Sequence, residues 1–424
     1  MSSILGSIIR RNVSKVVLVP QFEPKIIEDV KNNKYKPRHH PGTRSREVIT
    51  APSKVFEATN NLISKTHHSN LEKDAKVMWK YMIARQLPPE NREIVENMHK
   101  IKNEFMSEIG LDNVDIEETY SEEDIDLLNK GVRRQVNKVL KERTYNWQPV
   151  DYTEHISRVY LWSRFVPDYA VLVKVLEEIY KQLPDFKPHS VFDFGSGIGT
   201  AIWATHSYWP KSIGEFYCVD TSDHMLDLSS LLLQGGRQNK QPCISHVVYR
   251  QFLPSSTTNQ YSLVICAYSL LELPSQKHRI QTIAKLWEKT EDFLVIVDLG
   301  SASGYQVVLE ARDYILSTNN KRPGSAHVFA PCPHDLACPK QQLANHCTFS
   351  VKYENMRFKR GERIILPENF SYVILRRGER RDPLTSWPRV VRPVLQKSKH
   401  SVCKLCTNEG SLAQLVFTNR KHGV

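Results

Sequence analysis

The chain has 424 residues, enough for two or three domains at roughly 150 residues each, with 25% of residues charged and 40% hydrophobic. Its 58 Lys and Arg against 46 Asp and Glu leave a net charge of +12, which points to a polyanionic partner, nucleic acid before an anionic membrane. No apolar run reaches the ~18 residues of a spanning helix, so membrane insertion is excluded, and eight cysteines in so long a chain do not make a small disulfide scaffold.

From Met1 to Phe22 there is no Asp or Glu. Ile4, Leu5, Ile8, Ile9, Val13, Val16 and Val17 recur at helical spacing, with Arg10, Arg11, Lys15 and several serines between them. That is the profile of a mitochondrial transit peptide, and the matrix is the expected location. Residues 23–53 read as a basic arm: Lys31, Lys34, Lys36, Arg38, Arg44 and Arg46 occur without an acid between 31 and 46. Residues 54–154 read as a helical domain. Val77, Met78 and Met82 share one stripe. Pro88-Pro89-Glu90 starts a second helix, with Ile94, Val95, Met98, Ile101, Phe105 and Ile109 as its apolar positions and Gly110 at its end. Ser121 with Asp124 starts a third, running to about Arg143.

A further helical stretch over 155–183 is expected to break at Pro167. From about 190 short β-rich runs alternate with helical ones: Ser190–Phe194, Glu215–Asp220, Ser245–Tyr249, Tyr261–Tyr268 and Phe293–Asp298. This alternation predicts a parallel α/β sheet over 155–330, with later strands at Phe349–Tyr353 and Phe370–Leu375. Residues 351–424 hold 16 Lys and Arg against 6 Asp and Glu, so nearly all of the net charge sits there. Arg376, Arg377, Arg380 and Arg381 are the leading candidates for RNA contact, with Arg357, Lys359, Arg360, Arg389 and Arg392 as further ones.

The first β run leads into Asp193-Phe194-Gly195-Ser196-Gly197-Ile198-Gly199, which opens a helix. Glycines at every second position let the backbone turn tightly and approach a ligand closely. A carboxylate at the strand end disfavours a pyrophosphate and suits the cationic amino-acid end of S-adenosylmethionine. Asp220, ending the second strand, can accept both ribose hydroxyls, and Met225 can pack on adenine. The predicted fold is Rossmann-like, that of a class I S-adenosylmethionine methyltransferase, with an N-terminal helical region and a C-terminal cysteine-rich basic extension. Asp193, Gly195, Gly197, Gly199 and Asp220 are the cofactor residues. No catalytic group is evident. Ser269 and Glu272 follow the fourth strand, but neither is a dedicated base, and Cys266 reads as a small core residue.

Five cysteines gather late: Cys332, Cys338, Cys347, Cys403 and Cys406. Thiols at turn positions, two of them beside proline, suit a metal. Their wide spacing fits a 4Fe–4S cluster better than zinc, which remains the alternative. His334 and His346 read as supporting residues.

Several segments together resemble the ribosomal small-subunit methyltransferase-like family. They are Tyr160–Ala170, the glycine loop, Gly300–Tyr305 with Arg312, Pro331-Cys332-Pro333-His334, Cys338-Pro339, Cys347-Thr348-Phe349, Phe370-Ser371-Tyr372 and Leu405–Gly410. The resemblance implies a mitochondrial protein that binds small-subunit rRNA and ribosomal proteins during assembly and carries a 4Fe–4S cluster. It selects Cys332, Cys338, Cys347 and Cys406 as ligands, with Cys403 spare, in a cluster-binding extension over 331–424. The expected function is a small-subunit assembly factor on a methyltransferase-like fold stabilised by the cluster. The alternative is an active S-adenosylmethionine-dependent rRNA methyltransferase. A radical or iron–sulfur oxidoreductase fits poorly, because the cysteines are dispersed and follow the sheet.

Overall fold

The computed structural model describes residue 32 and residues 47–63, 68–111, 119–143, 149–254, 259–319, 326–341, 343, 346–356, 363–380 and 387–418. The expected presequence and most of the basic arm lie outside them, as do Arg357, Lys359, Arg360 and Arg381. From residue 47 on, the described residues fall into two compact units: those of 47–330 with 346–379, and those of 331–345 with 380–418.

In the larger unit, helices α1 (Ser53–Ile63), α2 (His68–Ile83), α3 (Asn91–Glu108), α4 (Glu122–Arg143) and α5 (Glu154–Gln182) precede the sheet. Glu90 and Glu93 form the capping box of α3, and the Asp124 N–H donates to Ser121 Oγ at the start of α4. These two helices share a small core of Ile101, Val132 and Val136. α5 runs straight through Pro167. Proline removes the bond to the carbonyl of Ser163, but α5 is buried along much of its length and packs on α2 and α6 (Thr200–Tyr208). Tertiary packing overrides the local penalty there.

The remaining elements are β1 (Ser190–Phe194), β2 (Glu215–Val219), α7 (Asp223–Leu233), β3 (Val247–Arg250), β4 (Tyr261–Ala267), α8 (Gln276–Glu288), β5 (Thr290–Leu299), α9 (Ala302–Asn319), β6 (Ala326–Ala330), β7 (Phe349–Glu354) and β8 (Ile365–Arg377). They make one sheet of order β3-β2-β1-β4-β5-β8-β6, with β7 also pairing β8. β3 to β5 are parallel, while β8 runs antiparallel to β5, β6 and β7. This is the class I methyltransferase arrangement. Strand order reverses between β1 and β4, and the carboxyl ends of those two strands flank the crevice where such sheets take ligands. β1, β4 and β5 are buried almost throughout, as near-continuous apolar parallel strands require.

The smaller unit contains a second sheet that the sequence reading left as a basic tail. β9 (Arg389–Val390), β10 (Leu395–Gln396), β11 (His400–Cys406) and β12 (Leu412–Thr418) form it in the order β10-β11-β12, with β9 on β11. Its core is slight: Val391, Cys406 and Ala413 are buried, whereas Trp387, Leu395 and Leu412 are exposed. Two of its strands are only two residues long, and the other two lack a regular apolar alternation, so the sheet is not read from sequence. Among the described residues, no helix is long and apolar enough to cross a membrane.

Candidate cofactor site

β1 delivers Asp193 to the crevice by pairing it with Cys218 of β2 and Ile265 of β4. The loop then turns back on itself. The N–H groups of Gly195 and Ser196 both donate to the carbonyl of Val219, at 2.8 and 2.9 Å. Gly195 has φ +68° and Gly199, capping α6, has φ +76°. A Cβ at Gly195 would strike the Ser269 side chain, and one at Gly199 would strike Ser229. Both positions therefore require glycine by backbone conformation and by space.

Asp220 and Asp193 differ sharply. Asp220 closes the loop onto the end of β2: its Oδ2 accepts the Gly197 N–H at 2.8 Å and its Oδ1 the Ser222 N–H at 2.9 Å. Each oxygen keeps a second acceptor position. Burial raises its pKa, and the two backbone bonds oppose that rise. Asp193 is fully enclosed, and its Oδ2 has no hydrogen-bond partner. Desolvation, with the nearby Asp220 carboxylate second, pushes its pKa up to about 8.

Asp193 faces a cavity of about 30 Å³ lined by Tyr160, Asp168, Leu172, Gly195, Ser196, Gly197, Ile198, Thr200, Ala201, Ala267 and Tyr268. That space takes two or three waters, at ~10–15 Å³ each, or one ammonium-sized group. Behind it lies a network that sequence reasoning missed. Arg164 is buried in α5, bonded to Asp168 one turn on and to Glu368 of β8 at 3.1 Å. Tyr160 Oη donates to Asp168 at 2.9 Å. The guanidinium also lies 4.5 Å from the Trp79 ring centroid and 5.5 Å from that of Tyr268. The available signal was Tyr160, Arg164 and Asp168 at four-residue spacing within the apolar middle of the helix.

The side chains that follow β4 are already engaged. Arg85 holds Glu272 with both terminal nitrogens, and the Val150 N–H and Tyr152 hydroxyl reach the same carboxylate at 3.4 Å. Ser269 Oγ donates to the carbonyls of Ala267 and Phe194. Glu272 is thereby a structural clasp between the helical region and the end of β4, and Ser269 a brace for the glycine loop.

The family model for the mitochondrial small ribosomal subunit protein Rsm22 matches residues 154–424. The human mitochondrial ribosome assembly protein METTL17 is 36% identical over 392 residues, covering 91% of this chain and 82% of that protein. The chain belongs to the Rsm22 family. A Schizosaccharomyces pombe Rsm22-cox11 tandem protein is 24% identical over 298 residues, which span 60% of this chain and 39% of that protein. Among solved structures, the magnesium protoporphyrin IX methyltransferase of Synechocystis with bound S-adenosylmethionine covers 55% of this chain and 86% of its own, at 13% identity and TM-score 0.30.

The cysteine reading does not survive in this Rsm22 protein. Among the described residues, no three His, Cys, Asp or Glu side chains form a group able to hold a metal ion. This overturns the 4Fe–4S cluster, the zinc alternative and the cluster-stabilised function. Cys332, Cys338 and Cys406 belong to the smaller unit and Cys347 to the larger. Cys347 immediately precedes the strand that pairs with β8, and its carbonyl accepts the Ser371 hydroxyl at 3.1 Å. Cys403 and Cys406 both lie within β11. Their odd separation turns the two thiols to opposite faces of the strand, so this Cys-x-x-Cys is not a chelating knuckle. Cys406 is buried, with His334 Nε2 3.3 Å from its sulfur.

The basic residues have intramolecular partners. Arg377 donates to the carbonyls of Thr290 and Trp287, at 2.5 and 2.6 Å, and lies over the Trp287 ring. Arg376 lies 5.2 Å from the Phe293 ring centroid. Arg380 pairs with Asp335. Exposed cations in the smaller unit include Arg392, Lys397 and Lys399 between its strands and Lys404 within β11.

Proposed function

We propose that this Rsm22-family protein acts in the mitochondrial matrix on the assembling small ribosomal subunit, as an S-adenosylmethionine-dependent methyltransferase of its rRNA. The observation that carries this reading is the buried, unpartnered carboxylate of Asp193 beneath the glycine loop. A buried acid without a partner is costly, and the cationic amino-acid end of S-adenosylmethionine would neutralise it. The free acceptor positions of Asp220 suit the ribose hydroxyls, and Met225, against Gly197, offers an apolar surface to adenine.

When bound, S-adenosylmethionine supplies an electrophilic methyl group. The chain's own residues orient it and exclude water. Glu272 is held by Arg85, Val150 and Tyr152, so the end of β4 offers no free general base. The arrangement suits a nucleobase nitrogen whose lone pair attacks without prior loss of a proton. RNA and ribosomal proteins would meet the basic C-terminal region, through Arg392, Lys397, Lys399 and Lys404, through Arg381, and through those of Arg376, Arg377 and Arg380 that exchange their present partners for phosphate. Residues 1–22 are proposed as the presequence, 23–53 as the basic arm, 54–154 as the helical region, 155–330 as the sheet core and 331–424 as the basic extension.

The test is transfer of a labelled methyl group from S-adenosylmethionine to purified small-subunit RNA. Label in RNA with the parent protein, and none with Asp193→Ala, is expected. No label with a parent protein that binds S-adenosylmethionine would overturn methyl transfer.

A further inference from the structure

Three buried side-chain polar atoms around the glycine-loop cavity have no hydrogen-bond partner: Asp193 Oδ2, Ser196 Oγ and Tyr268 Oη. Their residues are 3%, 5% and 9% exposed. Buried polar groups are nearly always satisfied, so three orphans on one small cavity mark a place where a polar ligand belongs. Tyr268 carries a second anomaly. Its backbone has φ +58°, a left-handed conformation disfavoured for so bulky a residue. The turn is fixed by the Tyr268 N–H on the Val297 carbonyl at 2.8 Å and by Ser269 on Phe194. Strain of this kind persists where the surrounding structure over-determines it, and it clusters at ligand sites. Here it brings an aromatic residue from the end of β4 to the cavity beneath the β1 loop.

The charge of the missing ligand is also indicated. Two carboxylates, Asp193 and Asp168, line the cavity. The nearby cation, Arg164, is committed to Asp168 and Glu368. A carboxylate accepts, and serine and tyrosine hydroxyls can accept. A primary ammonium offers three N–H donors, the same number as the orphaned atoms, and the cavity has room for it. We infer that Asp193, Ser196 and Tyr268 form an ammonium subsite, with the Tyr268 hydroxyl as a direct contact to the α-ammonium of the cofactor. The inference rests on the S-adenosylmethionine reading above and adds two contacts to it.

Tyr268→Phe keeps the ring and removes one atom, and Ser196→Ala does the same for the loop. Affinity for S-adenosylmethionine and for 5′-methylthioadenosine, which lacks the amino-acid end, would be measured by calorimetry, with thermal unfolding of the ligand-free proteins alongside. Loss of one hydrogen bond to a charged group predicts roughly 10- to 150-fold weaker S-adenosylmethionine binding by Tyr268→Phe. Affinity for 5′-methylthioadenosine should not change. Ligand-free Tyr268→Phe should melt at or above the parent temperature, because a buried unsatisfied hydroxyl has been removed. Equal S-adenosylmethionine affinity in parent and both variants would overturn the subsite while leaving the cofactor reading intact. So would a lower melting temperature of Tyr268→Phe, since it would mean that the hydroxyl already serves the fold. A parent protein that binds neither compound would overturn the cofactor reading itself.

Discussion

The glycine-loop end of the large sheet and the smaller, cysteine-rich unit differ in how their polar groups are met. At the glycine loop, Asp193, Ser196 and Tyr268 are buried with atoms unsatisfied, beside a cavity. In the smaller unit several polar groups answer one another: Thr407 with Ser411 across a turn, Arg380 with Asp335, and Lys340 with the Val391 carbonyl. Its cysteines form no metal group among the described residues. A striking residue pattern in sequence is thus weaker testimony than unsatisfied burial in structure. Cysteines can serve as small strand and loop residues, whereas a buried carboxylate without a partner calls for a ligand or a proton.

The largest effect that would break this contrast is expected at Arg164. Arg164→Met leaves Asp168 and Glu368 buried without their cation, and should cost about 3–5 kcal/mol in urea denaturation. A loss below about 1 kcal/mol would mean that the cavity wall does not depend on the ion network. Next is Arg377→Ala, which removes two bonds to sheet carbonyls and a stacked ring. Stability should fall by about 1.5–3 kcal/mol. By contrast, Ala at Arg392, Lys397 and Lys399 should flatten the salt dependence of RNA binding and leave the melting temperature nearly unchanged. The reverse pattern would move the RNA surface to the edge of the large sheet.

Asp193 makes a pH prediction. Its folded pKa, about 8, stands above the ordinary carboxyl value of ~3.9. Between those values the folded state binds the extra proton, so stability falls as pH rises through that window. Asp193→Asn should remove a slope of up to about 1.4 kcal/mol per pH unit and melt higher than the parent at pH 8. Matching stability–pH curves would show the carboxyl to be satisfied already. The smallest effect is expected at Cys403→Ser: half-buried and outside any metal group, it should shift stability within about 0.5 kcal/mol. Its metal content, by mass spectrometry of the intact protein, should equal that of the parent.

Much of the large unit was legible because its order is local. Strand, glycine loop and helix follow in sequence, and Asp193, Gly195, Gly197, Gly199 and Asp220 come together by adjacency and by pairing of neighbouring strands. What escaped is long-range. Tyr268 reaches the cavity through the β1–β4 pairing and a left-handed turn, and neither feature leaves a local pattern. Glu368 meets Arg164 across 204 residues. Arg376 and Arg377 read as free charge because sequence does not show that β8 places them against Phe293 and Trp287. The late cysteines misled because their positions in sequence do not show whether the fold groups them, and among the described residues no such group forms.

The central claim is that the glycine-loop end takes S-adenosylmethionine through Asp193. Calorimetric titration of the full chain and of Asp193→Ala tests it most directly. The account predicts one ligand per chain for the parent and roughly 10- to 150-fold weaker binding for the variant. Equal affinity in the two proteins, or no binding by the parent, would contradict it.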